Sequence, residues 1–581
     1  MWLMKKDILI LLMLIGRMAN AQTNVTVDAT HIVKQLNGHE NGINLNYLMD
    51  DAFISPAPAT SLATSLNNMH VKMLRYPGGE KSDNYLWSVA PWTSSLPRMA
   101  LKDAAYFWPT GDTNFIDIND PEKKCKAKVL DFDEFMTVCA ATGAEPLIVV
   151  AYDAMYNTLP GSGIPTKSEL ITNAREWVRY ANITHSCNIK YWMIGNESWN
   201  DPTYNGTTTP AQYALDIADF ATAMKAIDPT IKIVANGRND WWPTLLSSAT
   251  VSNIDLLAVS HYPTYNYLNG YEYYRNNNVD LVGDIQSAIN SIYQYAPISD
   301  TGRIKVLASE YNSIDWSGNW DSNNDLGHAL CNFQMLGDMI SLPKLETACM
   351  WNTRWVDNVT NPQSLYDAID ANGHMNANGT ALKIWGETLL NNLVDASSSS
   401  TSIRSFASSD ATGNLNIVLL NKENTNAAIS LNLQNFAADI NGSVSVFAGQ
   451  DVNDKFPSYT KTDTINAISD IQTLVLPHNS VTVLKLHTLP GTSVAKVYNT
   501  ISQLSIIPNP ANETVNALFA INKAMPVEVH IYSIDGRILW QKKMQAQKGP
   551  NKFELKHELP AGSYILSILT QTKHTIQFQV K

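Results

Sequence analysis

The stretch Tyr191-Trp192-Met193-Ile194-Gly195-Asn196-Glu197-Ser198-Trp199-Asn200 joins a strand to a chemical group. The apolar run Tyr191 to Ile194 reads as a short buried strand, and Gly195 permits a sharp turn into Asn196-Glu197. A glutamate there stands at the carboxyl end of a strand, beside an amide and between two tryptophans. Apolar neighbours disfavour its charged form and raise its pKa towards neutrality, as a proton donor needs. One Asn-Glu alone reads more readily as a solvated loop. Ile304-Lys305-Val306-Leu307-Ala308-Ser309-Glu310-Tyr311-Asn312 is a second strand ending in a glutamate, 310 − 197 = 113 positions later. Two carboxyls at two strand ends are the minimum equipment for cleaving a glycosidic bond.

Working outward, short apolar strands alternate with amphipathic stretches from Asn41 to about Trp385. The strands are Gly42 to Leu45, Val71 to Arg75, Pro146 to Val150, Tyr191 to Ile194, Ile231 to Ala235, Ile254 to Ser260, Ile304 to Ala308 and Glu346 to Trp351. Helical periodicity fills Phe132–Thr142, Ser168–Asn182, Thr209–Ile227 and Asp325–Ile340, with Thr209-Pro210 as N-cap and first helical residue. Eight such units predict an α/β fold, a (β/α)8 TIM barrel with insertions. A doubly wound open sheet is the alternative, but no glycine-rich phosphate loop follows the first strand.

Polar and aromatic residues gather where the strands end, at the catalytic face of such a barrel. Arg75-Tyr76-Pro77-Gly78-Gly79 follows the second strand, Tyr152-Asp153 the third, and Asn236-Gly237-Arg238-Asn239 the fifth. His261-Tyr262-Pro263 follows the sixth, Glu310-Tyr311-Asn312 the seventh and Trp351-Asn352 the eighth. Singly, Arg75 reads as an ion-pair partner and His261 as a satisfied loop histidine; their common position is what packing does not explain. Trp92, Trp108, Trp241, Trp242, Trp316, Trp320 and Trp355 are expected partly in the core and partly on an open, sugar-stacking cleft.

The formal charge of −12 argues against nucleic acid or an anionic membrane as partner. Residues 1–21 read as a signal peptide: Lys5-Lys6, an apolar run from Ile8 to Ile15, then Ala19-Asn20-Ala21. No other stretch approaches transmembrane length, so no stable membrane insertion is expected. Cys125, Cys139, Cys187, Cys331 and Cys349 form no CxxC pair, and no HxxxH or dense Asp/His cluster occurs. Neither a metal nor a cofactor is expected.

Residues 22–390 thus form the expected catalytic barrel. Leu415–Leu420, Ala428–Leu433, Gly442–Phe447 and Ser480–Leu486 alternate or are β-branched, predicting an antiparallel β-sandwich over 391–487. A linker over 488–503 leads to a small all-β module over 504–581, with Val527–Tyr532 as a strand and Asp535-Gly536 as a hairpin turn.

Residues 38 to about 487 resemble a retaining glycoside hydrolase of clan A, of the α-L-arabinofuranosidase type, carried by Asn196-Glu197, Glu310 and the Arg75-to-Gly79 turn. The resemblance implies Glu197 as acid/base and Glu310 as nucleophile. Arg75, Asn196, His261, Tyr262 and Trp351 fall where the clan places its substrate-binding arginine, asparagine, histidine or aromatic, and tryptophan. Arg75 and Asn312 are the expected donors to Glu310. The sequence departs at Ser309-Glu310-Tyr311-Asn312, where arabinofuranosidases more often carry Asp-Glu-Trp. The tail, from Pro508-Asn509-Pro510 to Gly562-Ser563-Tyr564-Ile565-Leu566, resembles the C-terminal sorting domain of type IX secretion. That implies a secreted or cell-surface protein handled by the type IX machinery.

The leading expectation is a secreted retaining hydrolase of plant or algal polysaccharide. The alternatives are an endo-acting clan A enzyme on agar-type galactan, xylan or β-glucan, and a non-catalytic carbohydrate-binding surface protein. A lapsed enzyme commonly loses one carboxylate, and this chain has both. A polysaccharide lyase using His261 or Tyr262 would leave the two glutamates unexplained.

Overall fold

The computed structural model describes residues 23–50, 58–103, 113–157, 163–200, 208–355, 367–489, 501–521, 523–534, 537–570 and 573–581. The expected signal peptide, Trp108 and the Asp535-Gly536 turn lie outside them.

Along the chain, β1 (Thr23–Gln35) precedes β2 (Asn41–Asn44) and β3 (Met73–Tyr76). A short hairpin of β4 (Tyr85–Leu86) and β5 (Arg98–Met99) is inserted before β6 (Glu145–Val150). Then follow β7 (Tyr191–Ile194), β8 (Lys232–Asn236), β9 (Leu256–His261), β10 (Lys305–Tyr311) and β11 (Leu345–Met350). Strands β2, β3 and β6 to β11 pair in parallel and close into a barrel. Each expected strand lies in this barrel. The helices Phe132–Thr142, Lys167–Val178, Pro210–Lys225 and Leu326–Ile340 start at Asp131, Thr166, Thr209 and Asp325, whose side chains each accept a backbone N–H of the first turn.

The two-residue period of the strands divides them between two cores. Met73, Leu147, Val149, Met193, Val234, Ala258 and Leu307 fill the barrel interior. Their neighbours Leu74, Ile148, Val150, Trp192, Ile194, Ile233 and Val306 pack outward under the helices. Arg75 continues the inward set of β3, which sets it beneath the catalytic face.

The second domain is one hydrogen-bonded, curled sheet of nine strands. It comprises β12 (Asn392–Ser398), β13 (Ile403–Ser409), β14 (Asn414–Asn421), β15 (Ala427–Gln434), β16 (Ile440–Ala448), β17 (Ser458–Ile465), β18 (Thr473–Leu476), β19 (Ser480–Thr488) and β1. Leu415, Ile417 and Leu419 of β14 face the sheet's own core, while Val418 and Leu420 join the barrel's. The sheet is sandwich-like because its curl encloses one face and the barrel covers the other.

Here β1 departs from the expected boundary. Residues 23–35, assigned from sequence to the barrel domain, lie between β12 and β15, antiparallel to one and parallel to the other. Val25 and Val27 are buried there. Strand neighbours far apart in sequence leave no local signal, so the run was read with what followed it. The tail begins earlier than expected, at the strand Ile501–Ile506, and forms a three-stranded and a four-stranded sheet around its own core. All five cysteines are free thiols, four of them buried.

Candidate active site

Strand β3 delivers Arg75 from below. Its side chain is fully buried, and Nη1 donates to Asn44 Oδ1 at 2.7 Å and to Glu310 Oε1 at 2.9 Å. Nη2 donates to Asn196 Oδ1 at 2.6 Å. One guanidinium therefore ties the nucleophile candidate to the asparagine beside the acid candidate, using the planar fork that lysine lacks. Tyr262, at the end of β9, donates its hydroxyl to Glu310 Oε2 at 2.8 Å. Each oxygen of Glu310 thus accepts a bond, one from a cation and one from a hydroxyl.

Glu310 reaches the cavity through an irregularity in β10. Leu307 points inward and Ala308 outward, so simple alternation would turn residue 310 outward. The pairing of β10 shifts register against both neighbours around Ser309. The extra residue re-aims Glu310 inward and returns Tyr311 to the outer core.

Glu197 sits in a turn fixed from beneath. Gly195 has φ +68°, and a Cβ there would lie 2.6 Å from Asp153 Oδ2 and 2.8 Å from Ser198 Oγ, so only glycine fits. Glu197 itself has φ +46°. The Ser198 amide donates to Asn236 Oδ1 at 2.8 Å, and Asn236 Nδ2 donates to the Ile194 carbonyl at 2.9 Å. Asn200 Nδ2 donates to Glu197 Oε2 at 3.0 Å. Burial, and next the Glu310 charge, push the Glu197 carboxyl up to about 7, against the bonds from Ser260 and Asn200 and the Arg75 charge. The pair therefore differs in kind: one carboxyl is held by cationic and hydroxyl donors, the other is pushed towards its protonated form.

Both glutamates line a cavity of about 530 Å³, with Asn196, Tyr262 and Trp351 from the expected set. Its other walls are Glu80, Trp199, Asn200, Ser260, Asp284, Trp316 and Trp355. A second cavity of about 440 Å³ shares Trp199, Ser260 and Asp284 and adds Arg238, Asn239 and Asp240, so the opening extends past Glu197.

Three expected binding residues are not cavity walls: Arg75, buried beneath the two glutamates, His261 and Asn312. His261 is fully buried, with Nε2 2.7 Å from the Leu281 carbonyl and Nδ1 3.2 Å from Asp284 Oδ2; it backs Asp284. As the last residue of β9 it turns under the helices, whereas the next residue, Tyr262, faces the cavity. Asn312 donates to the Trp351 carbonyl, and its Oδ1 accepts from the Ser313 amide at 2.7 Å and Asn332 Nδ2 at 2.9 Å. It braces the ends of β10 and β11, and Tyr262 supplies the second donor to Glu310 instead. Of the tryptophans named for the rim, Trp316 is 57% exposed and with Trp355 lines the cavity, while Trp241, Trp242 and Trp320 are buried. Trp199, expected beside Glu197 but not among the rim tryptophans, is also a wall. The sequence reading missed Glu80, which directly follows the Arg75-to-Gly79 turn.

Residues 65–279 match the model of the Alpha-L-arabinofuranosidase 1 domain, a span that contains Arg75, Asn196, Glu197, His261 and Tyr262. Over that span the chain is similar to alpha-L-arabinofuranosidases. Residues 505–581 match the Secretion system C-terminal sorting domain, which marks the chain for export to the cell surface or beyond. A probable alpha-L-arabinofuranosidase C of Aspergillus clavatus is 28% identical over 192 residues, 30% of this chain and 31% of that one. An intracellular exo-alpha-(1->5)-L-arabinofuranosidase of Halalkalibacterium halodurans is 26% identical over 243 residues, 39% of this chain and 41% of its own. The chain matches about a third to a half of the length of these curated relatives. Among solved structures, the alpha-L-arabinofuranosidase of Thermotoga maritima superposes with a TM-score of 0.60 at 18% identity, covering 80% of this chain and 99% of that one. A Paenibacillus polymyxa xyloglucanase superposes with a TM-score of 0.55 at 15% identity, covering 81% and 100%. Both structures share the barrel-plus-sheet fold of this chain.

Proposed function

We propose that this protein is an exported retaining glycoside hydrolase that releases α-L-arabinofuranosyl units from a plant or algal polysaccharide by double displacement. The observation that carries the reading is the asymmetric pair in one cavity: Glu310 bonded to Arg75 and Tyr262, and Glu197 raised to about 7. Glu310, held in place by its two donors, attacks the anomeric carbon. Glu197 gives its proton to the departing oxygen and then takes one from the water that releases the sugar. Arg75 occupies the Asn196 carbonyl oxygen, so that amide meets a sugar hydroxyl with its Nδ2. Trp351 and Trp355, edge to face at 5.5 Å, line the cavity, and exposed Trp316, edge to face with Tyr262 at 5.7 Å, offers a stacking face. Export by the type IX machinery would bring such an enzyme to polymers outside the cell.

The run of cavity past Glu197 favours a polymeric leaving group. It also keeps open an endo-acting enzyme on xylan, β-glucan or agar-type galactan. The test is hydrolysis of p-nitrophenyl α-L-arabinofuranoside, arabinan and arabinoxylan beside those polymers, with released sugars identified. Arabinose from the first three supports the proposal. Oligosaccharides from an undecorated backbone, with no arabinose released anywhere, overturn its sugar.

A further inference from the structure

Two aspartates beneath Glu197 take no part in that chemistry. Asp83 lies in the turn Glu80–Asn84 after β3, and Asp153 opens the turn Asp153–Tyr156 after β6. They are 1% and 0% exposed. Asp83 Oδ1 accepts the Asn196 amide at 3.0 Å, and Asp153 Oδ2 accepts the same amide at 3.3 Å and the Ser198 hydroxyl at 2.9 Å. Both carboxyls thus converge on one backbone N–H, which sets Asp83 Oδ1 and Asp153 Oδ2 beside each other. Asp83 Oδ2 and Asp153 Oδ1 are buried and, among the described residues, take no bond from a donor group. Two ionised carboxylates only accept, so a bond between them requires a proton.

Among the described residues no positive charge is placed to hold both as anions. Glu80, Tyr152 and Tyr213 face the pair, with Asp216 beyond Tyr152. Lys81 turns to Glu80 and the Trp355 ring, and Arg75, across Asn196, is committed to Glu310. Among the described residues no lysine or arginine pairs with either aspartate. Burial raises both above the usual carboxylate range, and for Asp83 the neighbouring Asp153 charge adds to it.

We propose that Asp83 and Asp153 share one proton and act as a positioning pair that grips the Asn196 amide and Ser198 hydroxyl, holding Glu197 in its left-handed backbone and aimed at the scissile bond. The inference rests on Glu197 being the acid/base. An asparagine at either position imitates the protonated partner: its NH2 donates across the pair while its oxygen accepts from the turn. An alanine opens the grip.

The test has a spectroscopic and a kinetic arm on the full chain. Infrared spectra in D2O at pH 6.5 should show a protonated-carboxyl stretch that persists in Glu197→Gln and vanishes in Glu197→Gln/Asp153→Asn and Glu197→Gln/Asp83→Asn. In the kinetic arm, Asp153→Ala should lower kcat/KM more than a hundredfold on an aryl arabinofuranoside with a poor leaving group. It should cost less than tenfold on an activated one, and Asp153→Asn less than tenfold on both. If Asp153→Ala does not fold, Asp83→Ala and the infrared arm decide. Absence of the band in Glu197→Gln overturns the proposal, as does Asn damaging as much as Ala, or Ala losing equally on both substrates. A wild type that turns over no glycoside while showing the band would sink the hydrolase reading and leave the shared proton standing.

Discussion

Replacing Glu197 by glutamine should make the barrel more stable in alkali, and the size of the gain follows from the site. The folded carboxyl titrates at about 7 against an ordinary 4.5, because burial and the Glu310 charge oppose its ionisation. A group whose folded pKa is raised holds its proton more tightly folded than unfolded. Its contribution is therefore fully present below pH 4.5 and is lost as pH rises to about 7. A difference of 7 − 4.5 = 2.5 pH units corresponds to an upper bound of about 3.4 kcal/mol at 1.36 kcal/mol per unit. Because the side chain opens on the cavity, solvent screening reduces this to about 2 kcal/mol. Glutamine does not titrate and can still accept from Asn200. Calorimetry of the barrel transition should show wild type and Glu197→Gln melting together at pH 4.5. At pH 8 the variant should melt higher, by roughly 2–5 °C for a domain of this size. An equal difference at both pH values, or a variant less stable at pH 8, would refute the reasoning that burial and Glu310 strain this carboxylate.

Three further outcomes follow from the same geometry. A Cβ at Gly79 would lie 2.6 Å from the Trp351 ring and 2.7 Å from Glu310 Oε1, so Gly79→Ala should displace the nucleophile and cut kcat at least tenfold, about 1.4 kcal/mol, with stability changed much less. Arg75→Met strands Glu310 as a buried unpaired charge and should cost about 3–5 kcal/mol of stability together with more than a hundredfold in kcat/KM, read by denaturation and steady-state assay. Every described residue lining the cavity lies between Glu80 and Trp355, so ending the chain at Leu489 should leave specific activity within tenfold, about 1.4 kcal/mol; a larger loss would make the tail part of the site.

The barrel was legible because its strands are short apolar runs of fixed period, and the carboxylates because each ends such a run. The neighbours of those carboxylates were less so. Arg75 and Asn196 could be named from their place after strands, but their shared bond could not, since it spans 121 residues. His261 and Tyr262 are adjacent, and only the end of β9 decides that one turns to Asp284 while the other reaches Glu310. Asn312, expected as a donor to Glu310, is instead bonded to the Trp351 carbonyl. The irregularity at Ser309, which has no mark in the sequence, changes which residues share the face. Asp83 drew no notice at all, since an aspartate in a polar turn looks solvated until packing buries it.

The direct test of the central claim is the anomeric configuration of the first-formed sugar, followed by proton NMR in the first minutes of hydrolysis of an aryl α-L-arabinofuranoside. Double displacement at Glu310 with Glu197 as acid/base predicts α-L-arabinofuranose from the unmodified enzyme, and no product from Glu310→Ala. It also predicts an α-configured azide adduct from Glu197→Ala when azide is added. Initial release of the β-anomer would contradict the assignment of Glu310 as the nucleophile.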